Sequence, residues 1–298
     1  MLSSVWRQLR PRQWVKNSIL FAGLIFARVG GDPRLSLRAF LGFASFCLLS
    51  SAVYVINDWL DRESDRLHPE KRDRPIASGR ISGMGAALML AALLGGGLLL
   101  ASGLGWQFLV AAIAYLALNL GYSLGLKQMM IVDVLCISSG FVIRAIAGVA
   151  ALRPLDPAIT ISPWLLVCTF FGALLLASIK RRQELALVEE DNRRAVLRKY
   201  SLPLLDDIIR ITAACALFAY ALYTIAPATV QKFHTESLVF TIPFVVFGIF
   251  RYLYLNRARS LGENPTEVLL RDRPLLLNLL LWLVAVVLIV YAPWQRLH

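Results

Sequence analysis

Histidine, cysteine and charge are all scarce in this sequence. His68, His234 and His298 are its only three histidines, and they are too dispersed to form a metal cluster. Cys47, Cys136, Cys168 and Cys215 stand singly inside apolar stretches with no metal-ligand spacing, and they read as buried thiols. Only 17% of the 298 residues are charged, while 58% are hydrophobic. That ratio excludes an ordinary soluble domain and implies a polytopic membrane protein. The basic stretch from Met1 to Lys16 precedes a short apolar run without an A-x-A-like exit, so an uncleaved first helix is expected. A net charge of +12 invites a nucleic-acid partner. The membrane already accounts for those residues, and no nucleic acid is expected.

What is present is a series of apolar segments. Nine can be drawn, at 18–29, 39–56, 84–102, 106–123, 131–151, 162–179, 208–228, 237–255 and 275–292. They predict an all-α bundle of nine transmembrane helices with its termini on opposite sides of the bilayer. Twenty-four of the 31 Lys and Arg fall on one side of this arrangement. The positive-inside rule makes that side cytoplasmic, so the expected location is the inner membrane with the polar chemistry on its cytoplasmic face. The second and sixth spans each end in a long charged loop, 57–80 and 180–207. That pseudo-repeat predicts a single transmembrane domain, 1–298, made of halves at about 1–123 and 131–255 plus a ninth helix at 275–292.

The chemistry gathers at "NDWLDRESDRLHPEKRDRPIASG", residues 57 to 79. Asp58, Asp61 and Asp65 stand at i, i+3 and i+7, within about 60° of one another if the helix continues past the membrane surface. Carboxylates at a helix C-terminus meet the negative end of the macrodipole and repel one another, so something cationic must offset them. A Mg²⁺ ion bridging to substrate phosphates suits three hard oxygen ligands. Asn57 adds a neutral amide, and Lys71, Arg72 and Arg74 supply donors for phosphate oxygens. Pro75 breaks the chain and Ser78-Gly79 allows a tight turn. The alternative is a solvated, charge-balanced loop, since 57–80 holds six acids and six bases.

"NDWLDRESD" followed by "RPIASG" resembles the first aspartate-rich motif of the UbiA superfamily of intramembrane prenyltransferases, whose nine-helix plan the whole chain fits. The resemblance implies that Asp58, Asp61 and Asp65 bind Mg²⁺ and a diphosphate, with Asn57 as the leading residue of the motif. A second aspartate motif, usual at the end of the sixth helix, is replaced here by "SIKRRQELALVEED". Lys180, Arg181 and Arg182 stand where acids would be, with Glu184 the first carboxylate after them. An acidic cluster paired with a basic one suits a metal-bound diphosphate together with a further phosphate met directly by cations. A juxtamembrane anchor for anionic lipid is the competing reading of "KRRQE".

The stretch "YSLGLKQMMIVDVLCISSGFVIRAIAG", residues 122 to 148, adds Tyr122, Lys127, Asp133 and Arg144. Asp133 and Arg144 are eleven residues apart, so they share a helix face with Arg144 about 16 Å deeper. An intramembrane Arg lines a polar cavity or joins a structural ion pair. Together with "RPRQWVKN", which carries Lys16 and Asn17, these elements resemble the decaprenyl-phosphate phosphoribosyltransferase branch. That resemblance implies phosphoribosyl diphosphate as donor, a polyprenyl phosphate as acceptor, the lipid bilayer as solvent for the tail, and a role in arabinan precursor synthesis. It leaves room for a homo-oligomer. Lys16, Lys71, Arg72, Arg74, Lys127, Lys180, Arg181 and Arg182 are the cations available to bring two anions together. The rivals are a prenyltransferase acting on an aromatic acceptor and a lipid-phosphate transporter. One-sided charge argues against alternating access.

Overall fold

The computed structural model describes residues 2–67, 71–187, 196–258, 268 and 271–291. The chain divides into two compact units, the first ending at Ile161 and the second beginning at Ser162. Among the described residues, eight helices are long and apolar enough to cross a membrane, as expected of a multi-pass membrane protein.

The first unit opens with a short amphipathic helix, α1 (Leu2–Leu9), and a 3₁₀ segment, Pro11–Leu20. It continues through α2 (Phe21–Phe26), α3 (Pro33–Leu60), α4 (Arg62–Leu67), α5 (Gly83–Gly103), α6 (Trp106–Leu124) and α7 (Val132–Leu152). Sequence pattern predicts a first span at 18–29, and here the structure differs: no helix of spanning length forms. Arg10 takes a left-handed backbone (φ 53°) before Pro11, and Arg28 does so again (φ 60°), which confines the apolar run between two breaks. The intervening segment packs on α7 through direct backbone contact. A Cβ on Gly148 would stand 2.2 Å from the Leu20 carbonyl oxygen, so only glycine lets the 3₁₀ segment lie there.

Signals for the long helices are local. Asp32 accepts from the Arg34 amide at 2.7 Å, with Pro33 in the first turn, and starts α3. Ser82 accepts from the Gly85 amide at 3.1 Å and starts α5. A core of Phe46, Leu49, Val53, Phe108, Tyr115 and Ala147 binds α3, α6 and α7, with Phe46 and Phe108 edge-to-face at 5.7 Å. On the side away from the acidic motif, Arg38 donates to the carbonyls of Leu104 and Ala151, tying the ends of α5 and α7 to α3. The helix Val132–Leu152, which the pseudo-repeat assigns to the second half, packs within the first unit.

The second unit holds α8 (Pro163–Leu187), α9 (Leu202–Ile225), α10 (Pro227–Phe233), α11 (Ile242–Ala258) and α12 (Arg273–Tyr291). Ser201 caps α9 and Asp272 caps α12, accepting from the Leu204 and Leu275 amides. Its core joins Leu175, Ile179, Ile209, Leu255 and Leu275. The Trp282 indole donates to the Tyr220 hydroxyl, which bonds Thr241 in turn, so these three polar side chains are satisfied between the helices.

Candidate active site

The acidic motif sits where α3 gives way to α4. The Asp61 amide donates to the Asn57 carbonyl at 2.9 Å and the Asp65 amide to the Asp61 carbonyl at 2.8 Å, so the helical path carries on through the junction. This preserves the expected phase of Asp58, Asp61 and Asp65. Asp58 and Asp65 are buried, and Asp61 is half-buried.

The electrostatic demand for cations at this helix end is met by the protein. One nitrogen of Arg74, Nη1, lies 3.0 Å from Asp58 and 2.7 Å from Asp65. Arg10 Nη2 reaches both oxygens of Asp58, at 2.7 and 2.8 Å. Its guanidinium also rests on the Tyr54 ring, 4.7 Å from the centroid. Lys127 donates to both oxygens of Asp61, at 2.8 and 3.2 Å. Among the described residues no three His, Cys, Asp or Glu side chains converge closely enough to hold a metal ion. In this arrangement, guanidinium and ammonium groups satisfy the carboxylates.

Local folding aims these cations. Pro75, Ile76 and Ala77 are buried, Ile76 against Ala52 and Val55 of α3, which fixes the loop carrying Arg74. Ser78 folds back onto the Arg74 carbonyl, and Gly79 turns the chain with φ +75°. Arg66 Nε donates to the Ala77 carbonyl and closes the same turn. Lys71 is half-buried, and Arg72 points to the exterior. His68, Pro69 and Glu70 lie outside the described residues. Ile131, a β-branched residue at φ +69°, holds a strained turn between Lys127 and buried Asp133.

Gln8 is a residue the sequence reading passed over. It is fully buried and its Nε2 donates to Asp58 at 2.8 Å, which fixes the amide orientation because the reverse would set oxygen against carboxylate. Its Oε1 is then left buried without a donor. An acceptor orphaned beside the buried Asp58 carboxylate is a place for an incoming hard cation or its water. Asp58, Asp61, Asp65 and Gln8 offer oxygen donors, the ligand chemistry a hard divalent cation takes. With Arg10, Arg74 and Lys127 between them, the carboxylates do not converge on one point. Asn57 Oδ1 accepts from Ser123 of α6, which positions the motif's leading residue. Tyr122, next to it, is half-buried.

Deeper along α3 lies a second polar group. Arg144 is 7% exposed and donates to Asn17 Oδ1 at 2.8 Å, the Gly140 carbonyl at 3.0 Å and the Tyr115 hydroxyl at 2.9 Å. Asn17 in turn donates to Ser50 Oγ and Cys47 Sγ. Burial, then the nearby charges of Arg144 and Arg10, lower the Lys16 pKa from 10.5 to about 8.

In the second unit, the basic cluster carries its own counter-charge. Arg181 is buried against Glu184, Lys180 lies 3.7 Å from the same carboxylate, and Arg182 pairs with Asp206 of α9 at 2.6 Å. Gln183 bonds Asn256. A fully buried Arg181 is not a surface anchor for lipid headgroups.

Residues 18–270 match the UbiA prenyltransferase family. The decaprenyl-phosphate phosphoribosyltransferase of Mycolicibacterium smegmatis is 33% identical over 297 residues, covering 95% of this chain and 91% of that protein. The protein of the same name from Corynebacterium glutamicum is 34% identical over 304 residues, covering 96% and 86%. A solved UbiA homolog from Archaeoglobus fulgidus, bound to GPP and Mg²⁺, superposes with a TM-score of 0.71 at 19% identity. That superposition covers 97% of this chain and 100% of that one.

Proposed function

The chain belongs to the UbiA prenyltransferase family, and from that premise we propose that it moves 5-phosphoribose from phosphoribosyl diphosphate to a polyprenyl phosphate, releasing diphosphate. The observation that carries this reading is similarity across 95% of the chain to proteins named for that transfer. Decaprenyl phosphate is the acceptor those names indicate. The inner membrane, a cytoplasmic-facing site and arabinan precursor synthesis are the corresponding setting.

Asp58, Asp61 and Asp65 would hold Mg²⁺, with the free amide oxygen of Gln8 beside them. When bound, Mg²⁺ neutralises a leaving diphosphate and assists cleavage of the C1–O bond. The chain's own residues do the rest. Arg10, Arg74 and Lys127 are bound to carboxylates in the resting site and are within reach of phosphate oxygens that arrive there. Lys71 and Arg72 add charge on the same loop, with Asn57 and Tyr122 at its rim. The Asp133 amide donates to the Met129 carbonyl at 3.1 Å and closes the strained Ile131 turn that follows Lys127, and Asp133 is a further candidate of the substrate site. Lys180, Arg181 and Arg182 are the second unit's candidate phosphate contacts, with Glu184 holding Lys180 and Arg181 in place.

Bond cleavage at C1 leaves an oxocarbenium-like ribose. The acceptor phosphate is already an anion at neutral pH, so no general base is needed, consistent with the scarcity of histidine. In-line attack inverts the anomeric centre and yields a β-linked 5-phosphoribosyl lipid phosphate. Membranes containing the chain, supplied with labelled phosphoribosyl diphosphate and a polyprenyl phosphate, should pass label into an organic extract. Consumption of a prenyl diphosphate instead, with no label in the lipid phase, would replace this reading with prenyl transfer.

A further inference from the structure

Asp32 is the first acid in the sequence, and Arg7, Arg10, Arg12, Lys16 and Arg28 all precede it. Of these cations, Arg10 is neutralised by Asp58. Arg7 and Arg12 are exposed, and among the described residues neither pairs with a carboxylate. They flank the point where α1 ends and the 3₁₀ segment begins.

The two faces of α1 differ in character. Gln8 and Leu9 turn toward α3. Gln8 is fully buried on Asp58, and the Leu9 carbonyl accepts from Ser51 Oγ at 2.8 Å. Ser3, Trp6 and Arg7, at i, i+3 and i+4, share the outward face and are exposed. The Trp6 ring is 59% exposed and meets Trp14 edge-to-face, with centroids 6.0 Å apart. Trp14 is itself held, its indole donating to Ser51 at 3.1 Å.

The position of α1 decides what this outward face meets. Asp58 lies in the last turn of α3, a helix long and apolar enough to cross a membrane. Gln8 and Arg10 are bonded to Asp58, so α1 lies at the level where that span leaves the bilayer. An exposed indole beside arginines without counter-ions is the side-chain set of a helix lying in the interfacial layer. The indole is too large and apolar to favour open water, and its N–H disfavours the hydrocarbon. The guanidinium groups need anions, which a zwitterionic surface does not offer in excess and an acidic one does.

We propose that Trp6, Arg7 and Arg12 form a binding surface for anionic phospholipid, with α1 lying flat on the bilayer. Trp6 enters the headgroup layer, and the two arginines meet lipid phosphate. The opposite face of the same helix keeps its bonds to α3. This surface takes bulk membrane lipid and is independent of the transfer reaction assigned to the chain.

The test follows backbone hydrogen exchange of residues 2–9 in the full chain. It compares nanodiscs of phosphatidylcholine alone with nanodiscs in which roughly one third of the lipid is phosphatidylglycerol. Each arginine near an anionic surface contributes about fivefold. Protection of these amides in wild type should therefore rise about five- to twenty-five-fold in the anionic discs, and the rise should vanish in about 0.5 M salt. The double variant Arg7→Gln/Arg12→Gln should lose the rise and keep the melting temperature of wild type. Arg7→Lys/Arg12→Lys should keep most of it, because a charged surface reads charge before donor geometry. Trp6→Ser should lower protection in both kinds of disc and leave the rise between them intact. Equal protection of wild type in the two discs would overturn the proposal, as would a rise that survives high salt or persists in the glutamine double variant. It also falls if that variant loses as much protection in phosphatidylcholine discs as in anionic ones, since the arginines would then hold the helix to the protein.

Discussion

Lys127 and Asp61 are 66 positions apart in sequence, yet the ammonium contacts both oxygens of the carboxylate, at 2.8 and 3.2 Å. The pair is partly exposed, so its net strength is about 0.2–1 kcal/mol. It nevertheless competes for the one carboxylate of the motif that is open to the exterior. Lys127→Gln should therefore bind Mn²⁺ up to about fivefold more tightly in the absence of substrate. The same variant should lose kcat/KM, because it lacks a cation for phosphate. Manganese titration followed by electron paramagnetic resonance checks the first effect, and steady-state kinetics the second.

Asp58 and Asp61 should separate in their consequences. Asp58→Asn leaves Arg10 without its carboxylate and Arg74 with Asp65 alone, beside a buried position where breaking a pair costs about 3 kcal/mol. It should lower the melting temperature as well as abolish turnover. Asp61→Asn removes a half-exposed group with one partner. It should fold as wild type does while losing most metal-dependent turnover. Full activity in Asp61→Asn would remove that residue from the metal set.

Much of this site was legible before the fold was known. The i, i+3, i+7 spacing of Asp58, Asp61 and Asp65 survives because backbone hydrogen bonds carry the helix through Asp61. The need for cations at that helix end was likewise evident from the macrodipole. Which cations meet it was not. Arg10 comes from 48 positions upstream through a left-handed backbone, and Gln8 through burial of an amphipathic turn. No local pattern encodes such pairings. The stretch 18–29 reads as helix by hydropathy alone, but close backbone contact with Gly148 favours a different path. The "KRRQE" cluster was visible as charge, and its own Glu184 pairs with Arg181 within α8, whereas the pairing of Arg182 with Asp206 required α8 and α9 to be packed together.

Gly148→Ala tests that backbone contact. The added methyl meets the Leu20 carbonyl, so the 3₁₀ segment must shift, at about 1–3 kcal/mol. Because this segment carries Lys16 and Asn17, the variant should raise KM for a phosphate substrate more than a stability loss of that size explains. Gly95→Ala, with open space around its added methyl, is the matched control and should behave as wild type.

The Lys16 ammonium gives a pH dependence whose sign is fixed. Its folded pKa of about 8 lies below its ordinary 10.5, so the unfolded chain binds more protons between those values. Stability of the unliganded chain should therefore rise with pH through that window. Affinity for a phosphate substrate should fall over the same range as the ammonium deprotonates. Lys16→Arg, charged throughout, should flatten the rise in KM above pH 8. A wild-type profile that is already flat would count against a charge-based role for Lys16.

The amphipathic turn Leu2–Leu9 supplies Gln8, and the residue just after it supplies Arg10. Whatever peels that turn from α3 (a bulky fusion, a protease cut, a change in the curvature of the bilayer) takes two of its three side-chain partners from Asp58 without touching it. Catalytic competence is thereby coupled to the seating of a few surface residues, so a preparation can be intact in every long helix and still inert.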